Sequence, residues 1–294
     1  MASAKEIKNH IESVKNTQKI TSAMYLIAST KLRRARESLG RTQPFFDALR
    51  TEIARALQSA QSAKSPYVTK PSEDREEDVY AYLVITADRG LAGAYNQNII
   101  KETQHLLRQQ AQSRLFVVGD YGRQFFLTRG VEIEHDFLYS AQEPTVSCAR
   151  EIGARLLDLY DRGEIGRLYV VYTEMHGMTQ RVRTEKLLPI DRAQFDGTER
   201  ELIFEPSADA VLAHAIPGYV TGYLYSVLVE SFCAEQSARA SAMDAASDNA
   251  DELVRALTAE YNHERQSAIT QEITEVSAGA RAKKQHKKEV RSGV

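Results

Sequence analysis

The places where glycine and proline are missing constrain this fold most. Residues 1–39 contain neither and residues 223–278 contain neither, while residues 40–222 hold 13 of the 15 glycines and all seven prolines. Proline removes an amide donor and clashes with the preceding turn. Glycine carries the largest backbone entropy cost, so both break helix interiors. Their exclusion from both ends predicts two long helices bracketing an ordinary globular middle. At about 1.5 Å rise per residue these extend roughly 60 Å and 85 Å, longer than a small domain is wide. Each then needs the other, or a further partner, to bury an apolar stripe.

The charges suit such a pairing. The net charge is only −2, but residues 1–41 carry nine Lys/Arg against three Glu, and residues 230–275 carry ten Asp/Glu against three Arg. A positive helix and a negative helix at opposite ends of one chain attract when folded side by side. The tail 281–294 is basic again, with six Lys/Arg and one Glu.

Periodicity identifies the paired face. Ser3 and Glu6 are spaced as a capping box ahead of Ile7. From there Ile7, Ile11, Val14, Gln18, Thr21, Tyr25, Ala28, Leu32, Ala35, Leu39, Thr42, Phe46, Leu49, Ile53 and Ala56 recur alternately at four and three. That 3.5-residue period is the seam of a left-handed coiled coil. Gly40 and Pro44 predict a kink or brief break within it. The C-terminal helix is expected to start near Ser207. Eleven of its 56 residues between 223 and 278 are alanine, which permits close approach of two helices.

The middle reads as α/β. Residues 79–86, 114–119 and 167–173 are near-continuous apolar strands, separated by helical patterns at 96–111, 120–129 and 145–162. Such alternation indicates a largely parallel sheet covered on both faces. Val182–Ile190 is expected to be an edge strand, and residues 60–77 and 191–206 connecting segments. The fold class is therefore α/β: an antiparallel coiled coil of the terminal helices plus a central Rossmann-like domain with a mostly parallel sheet. The domains are expected at 1–60, 75–195 and 207–285, with a disordered basic tail at 286–294.

The chemistry of an enzyme is missing. Neither G-x-x-x-x-G-K-S/T nor G-x-G-x-x-G occurs, and Gly90, Gly93, Gly119 and Gly122 follow strands without phosphate-cradling spacing. The seven histidines are scattered, form no H-E-x-x-H, and pair with neither Cys148 nor Cys233 at ligand spacing. His176 beside Gly177 is the one loop histidine that invites a catalytic reading. No catalytic residue, cofactor or metal is expected. The basic runs Lys31–Arg36 and Lys283–Lys288 lack aromatic platforms, which argues against nucleic acid. No apolar run approaches the roughly 20 residues that cross a membrane.

Several stretches resemble the gamma subunit of F-type rotary ATP synthases. They are Ala4-Lys5-Glu6-Ile7, Asn16-Thr17-Gln18-Lys19-Ile20-Thr21, Ala23-Met24 and Ala28-Ser29-x-Lys31 at the N-terminus. Thr86-x-Asp88-Arg89-Gly90-Leu91-x-Gly93 looks like that family's first strand and turn. Glu235-Gln236-x-Ala238-Arg239, Met243-x-Ala245-Ala246-x-Asp248-Asn249 and Ile269-Thr270-x-Glu272-x-x-Glu275-x-x-x-Gly279-Ala280 resemble its C-terminal helix.

The resemblance implies a non-catalytic rotor subunit. Its terminal helices turn inside a hexamer of alternating alpha and beta subunits, and its middle packs against the epsilon subunit and the membrane c-ring. It implies contacts with beta-subunit loops from Arg265, Gln266, Thr270 and Glu272. Met24 falls where the family keeps a methionine near beta's acidic lever, and Lys31, Arg33, Arg34 and Arg36 form a candidate face for that lever. The chloroplast-type regulatory insert is missing. Without an import leader, the expected setting is the cytoplasmic side of a bacterial plasma membrane, reached through the complex. The competing expectations are a coiled-coil scaffold, a nucleic-acid-binding protein and a free-standing enzyme.

Overall fold

The structure, a computed structural model, describes residues 4–59, 67–68, 79–110, 112–176, 179–191, 205 and 207–292. The expected Ser3 cap, Gly177 and most of the two connecting segments lie outside these residues. In chain order the elements are α1 (Ala4–Ser59), β1 (Tyr80–Ile85), α2 (Tyr95–Gln109), β2 (Ser113–Val118), α3 (Asp120–Thr128), α4 (Val146–Asp161), β3 (Arg167–His176), β4 (Thr179–Leu188) and α5 (Ala208–Ser292). The chain forms two compact units, Met1–Tyr25 with Met243–Val294, and Leu26–Ala242.

The larger unit holds a four-stranded sheet in the order β2-β1-β3-β4. β1 pairs in parallel with β2 and β3, and β4 closes one edge antiparallel to β3. Alternate residues of the strands feed two cores, as the period of two requires. Ala81, Leu83, Ile85, Phe116, Val118, Leu168 and Val170 join one, with Ile152 and Leu156 of α4 and Leu212–Cys233 positions of α5. Tyr82, Val84, Leu115, Val117 and Val171 join the other, with Ile99 and Ile100 of α2 and Phe126 of α3. Ile53, Ala56 and Leu57 of α1 are buried in the first core. At about 1.5–3 kcal/mol per fully buried large aliphatic side chain, that docking outweighs any single surface ion pair. Tyr67 also docks: it stacks on Tyr160 and donates to Asp161 at 2.8 Å, while Val68 bridges to Ile190. The connecting segment is therefore pinned at this point.

Within this unit α1 and α5 run antiparallel. Leu49 lies against Gly218, Phe46 against Gly222, and the Ser38 hydroxyl meets Tyr225 Oη at 3.0 Å. A side chain at Gly222 would occupy the space of the Phe46 ring. At the start of α5, Ser207 Oγ accepts from the Ala210 amide at 3.2 Å, a helix N-cap at the expected place.

The smaller unit pairs the remainder of the same helices. Thr21 and Ser22 both bond the Ser247 hydroxyl at 2.9 Å. Ile7, Ile11, Val14, Gln18 and Thr21 are buried or half-buried, as are Met243, Ala246, Ser247, Ala250, Val254, Leu257, Tyr261 and Glu264. Small side chains at 246, 247 and 250 let the backbones approach.

Two expectations for α1 are corrected. The helix does not break at Gly40 and Pro44, which lies inside it. Both residues are on the exposed face, so water can satisfy the carbonyl that Pro44 leaves without a donor. At Tyr25 the seam shifts: Tyr25 is 37 % exposed, and the half-buried position is Met24. The α5 helix continues through residues 286–292, the span for which the sequence predicts disorder.

One half-buried carboxyl, Glu230, gives the larger unit a pH signature. Burial first, then Glu174 and Glu185, push the Glu230 carboxyl above its ordinary value, against the opposing Met175 amide and Arg183. A raised folded-state pKa contributes stability that is complete below the unfolded pKa and is lost as pH rises through the folded value. Glu230→Gln should therefore gain stability relative to the parent on going from about pH 4 to 7. Urea unfolding at several pH values checks this; a constant difference between the two proteins would refute it.

Candidate partner-binding surface

The loop after β1 is the place where a nucleotide would sit in a doubly wound sheet. Here its polar groups are spent on the fold. Asp88 accepts from the amides of Asp120 (3.1 Å) and Ala141 (3.2 Å) and from the Ser140 hydroxyl (2.5 Å). Its carboxylate thus occupies the start of α3, where a helix N-terminus would otherwise attract an anion. Asn96 Oδ1 accepts from the Ala87 amide at 2.9 Å, and Thr86 Oγ1 accepts from Gly122 at 3.1 Å while donating to Val118. Gly119 and Gly122 are there because the β1 end approaches their backbones closely. Among the described residues no group of three or more metal-ligating side chains occurs, and no helix is long and apolar enough to cross a membrane.

The basic run on α1 is not one face. At about 100° per residue, Lys31 and Arg36 flank the Ala28–Leu32–Ala35 seam on opposite sides, and Arg33 and Arg34 point away from it. Arg33, Arg34 and Arg36 are exposed and Lys31 is half-buried. Lys31 lies near Glu235, whose carboxyl burial raises and Arg239 and Lys31 lower. Arg36 lies near Cys233, whose thiol burial pushes up to about 11. These four belong to the larger unit, whereas Met24 belongs to the smaller one.

Arg265, Gln266, Thr270 and Glu272 all lie on α5 in the smaller unit, and all are exposed. The inward burial pattern of α5 ends at Glu264. Beyond it the seam positions become Ala268, Glu272, Glu275 and Gly279, which offer little to a coiled-coil partner. An apolar stripe reappears at Ile269, Ile273 and Val276, which are 48 %, 61 % and 73 % exposed. It is turned by roughly 90° from the old seam. Arg265 and Glu272 border it on one side, Gln266 and Thr270 on the other. Thr270 Oγ1 donates to the Gln266 carbonyl at 2.9 Å, leaving its lone pairs for an incoming donor.

The four polar residues singled out in the sequence border an apolar stripe that sequence reading did not single out. Its apolar residues were legible only as a continuation of the helix; the signal was the change of azimuth at 264. The buried Glu235–Arg239 pair was equally unread as a site. Its i,i+4 spacing was visible, but its partners in the β1–α2 loop were not.

Known proteins resemble this chain over nearly its full length. The family model described as ATP synthase matches residues 3–282. The ATP synthase gamma chain of Caldanaerobacter subterraneus subsp. tengcongensis is 39 % identical over 291 residues, covering 94 % of this chain and 98 % of that one. The ATP synthase gamma chain of Ruminiclostridium cellulolyticum is 39 % identical over 288 residues, covering 95 % and 98 %. Among solved structures, a chain of the Euglena gracilis mitochondrial ATP synthase (OSCP/F1/c-ring, rotational state 3) shares the fold with a TM-score of 0.67. It is 17 % identical, and the match covers 95 % of this chain and 94 % of that chain. A match across nearly the whole sequence, with relatives this similar over nearly their full length, means that the chain belongs to the ATP synthase gamma-chain family.

Proposed function

We propose that the chain is the rotating central-stalk subunit of an F-type ATP synthase. It transmits torque between an ion-driven membrane ring and a catalytic hexamer of alpha and beta subunits, and performs no bond chemistry itself. The observation that carries this reading is the apolar stripe Ile269–Ile273–Val276, exposed on α5 where pairing with α1 has ended. A helix that leaves its own partner with an apolar face turned outward is built to be enclosed by another protein. Membership of the gamma-chain family supports reading the enclosing protein as a hexamer of alpha and beta subunits. The beta-subunit loops are expected to accept from Arg265, to donate to Thr270 and Glu272, and to exchange amide bonds with Gln266. As the faces of the turning helix change, each beta subunit gains or loses these contacts, which is how one site can drive another's affinity.

The domain layout that serves this role is a coiled coil of residues 1–60 with 207–285 and an α/β body at 75–195. The body carries the contacts with the epsilon subunit and the c-ring, and the complex holds the chain at the cytoplasmic side of a bacterial plasma membrane. Co-expression with alpha and beta subunits tests the reading. A stable hexamer containing one copy of this chain, with ATP-driven rotation of a bead attached to it, is the expected result. Recovery of a lone monomer would refute it.

Arg33 and Arg34 point away from their own seam and are free to face an acidic lever of beta. Reversing both to Glu should leave ATP hydrolysis measurable but lower ion transport per ATP by about tenfold, since close charge pairs couple by one to several kcal/mol. Proton or sodium uptake into membrane vesicles, measured beside hydrolysis, reads the ratio; an unchanged ratio removes these residues from the lever contact.

A further inference from the structure

Within the larger unit, α5 is surrounded on nearly every side: Ser231, Phe232, Cys233, Ala234, Glu235 and Gln236 are all buried in succession. Apolar burial of that kind holds a helix in place but is not directional. A helix wrapped in apolar side chains resists withdrawal better than it resists turning about its own axis. Hydrogen bonds are directional and weaken steeply when misaligned. Those between α5 and the rest of this unit therefore decide its azimuth.

Among the described residues they are spread over several turns, and they include the Ser38–Tyr225 bond and the Met175 amide on Glu230. Arg239 donates through Nη1 to Glu235 at 2.5 Å and through Nη2 to the carbonyls of Gly90 (3.1 Å) and Arg89 (3.4 Å). The two side chains are only 11 % and 5 % exposed. One turn earlier the Gln180 side chain donates to the Ala234 carbonyl at 2.8 Å, and the Thr173 amide donates to Ser231 Oγ at 3.2 Å. Two turns further, Tyr223 Oη donates to Glu185 at 2.8 Å. Lys31 of α1 lies close enough to Glu235 to pull its carboxyl pKa down, and Asp88 pushes it up.

We propose that Glu235 and Arg239, anchored on the β1–α2 loop carbonyls, are positioning residues that lock the rotation of α5 on the α/β body. This rests on the rotor reading above. A subunit that passes torque from its body to its long helix must not let the helix roll in its socket, and the lock is where that slip is prevented. Glu235 turns with the helix and holds the Arg239 guanidinium in place, whereas rolling α5 would pull Nη2 off the Gly90 and Arg89 carbonyls and leave a largely buried charge with donors unmet.

The decisive variant replaces both members with neutral side chains of similar volume, Glu235→Gln with Arg239→Met. Neither charge is then stranded, and such exchanges of a buried pair commonly preserve stability. The variant is assembled into the alpha–beta hexamer, the hexamer is fixed to a surface, and a bead is attached to the α/β body. With the catalytic sites stalled by a nonhydrolysable nucleotide, the variance of the bead's angle should rise about twofold, because a main directional restraint is gone. Val220→Ala, which removes apolar contact from the same helix, should lower the melting temperature without widening that variance. An assembled double variant with the parent's variance would overturn the proposal. Should the double variant fail to assemble, Arg239→Lys keeps a positive charge beside Glu235 but removes the planar fork that reaches the Gly90 and Arg89 carbonyls, and is read the same way: wider fluctuation supports the lock, unchanged fluctuation overturns it. Failure of the parent chain itself to turn the bead would instead refute the rotor reading.

Discussion

Replacing Ile269 and Ile273 together with aspartate will weaken the binding of this chain to an alpha–beta hexamer by about a hundredfold or more, with no change in the chain's own melting temperature. Each isoleucine enclosed by another protein contributes about 1.5–3 kcal/mol, and a carboxylate in its place adds a desolvation cost. Association entropy and side-chain ordering absorb part of the first quantity, so about a hundredfold is a lower expectation. The isolated chain should not notice the change. Both positions are about half exposed or more, at 48 % and 61 %, and substitutions at such sites usually stay within about 0.5 kcal/mol. Thermal unfolding of the free subunit, set beside its titration into immobilised hexamer, measures both. Parallel losses in the two assays would mean that the stripe packs within the chain; undiminished binding would remove it from the interface.

Gly119→Ala should be the most damaging single methyl that the α/β body can receive, at about 3–5 kcal/mol. Gly119 has φ +95°, and a Cβ there would run into the Thr86 carbonyl oxygen and stand 2.8 Å from that of Ala87. Both atoms are backbone at the end of β1. They are held in place by the Thr86 amide on Val118 (2.9 Å) and the Tyr121 amide on Ala87 (3.1 Å). No rotamer change relieves the clash, so β1 and the start of α3 must separate. Gly93 provides the comparison. It too has positive φ, +53°, but nothing lies within 4 Å of a Cβ built on it. Gly93→Ala pays only the left-handed backbone penalty, about 1 kcal/mol. Urea unfolding of the two variants should show Gly119→Ala far below Gly93→Ala. Equal losses would mean that backbone conformation, not crowding, sets the cost at both.

The contrast between those glycines marks the reach of sequence reading. Both were identifiable as loop glycines after strands, and neither belonged to a phosphate-binding motif. That one is jammed against a neighbouring strand and the other stands open follows from the parallel register of β1 and β2. The α1 seam was legible almost completely, because a 3.5-residue period is a local property that survives wherever the helix is placed. Its one error, Tyr25 for Met24, falls where the strict alternation of fours and threes slips by a residue. Pro44 was misjudged for a related reason. Its cost depends on whether the stranded carbonyl faces water or protein, and the chain places it toward water.

What the amino-acid sequence determined alone is the material of this protein. Two glycine- and proline-free ends of complementary charge must become long helices that pair, and an alternation of apolar strands and helices must become a doubly covered sheet. Those outcomes depend on period, composition and local backbone preference, which each segment carries with it. What only the tertiary structure decided is where pairing stops and how the pieces are keyed together. The α5 stripe stands exposed because the inward burial pattern of the helix ends at residue 264, and Arg239 becomes a key because two backbone carbonyls some 150 positions earlier in the chain are brought under it. Backbone carbonyls are the same at every residue, so no sequence pattern could have singled them out.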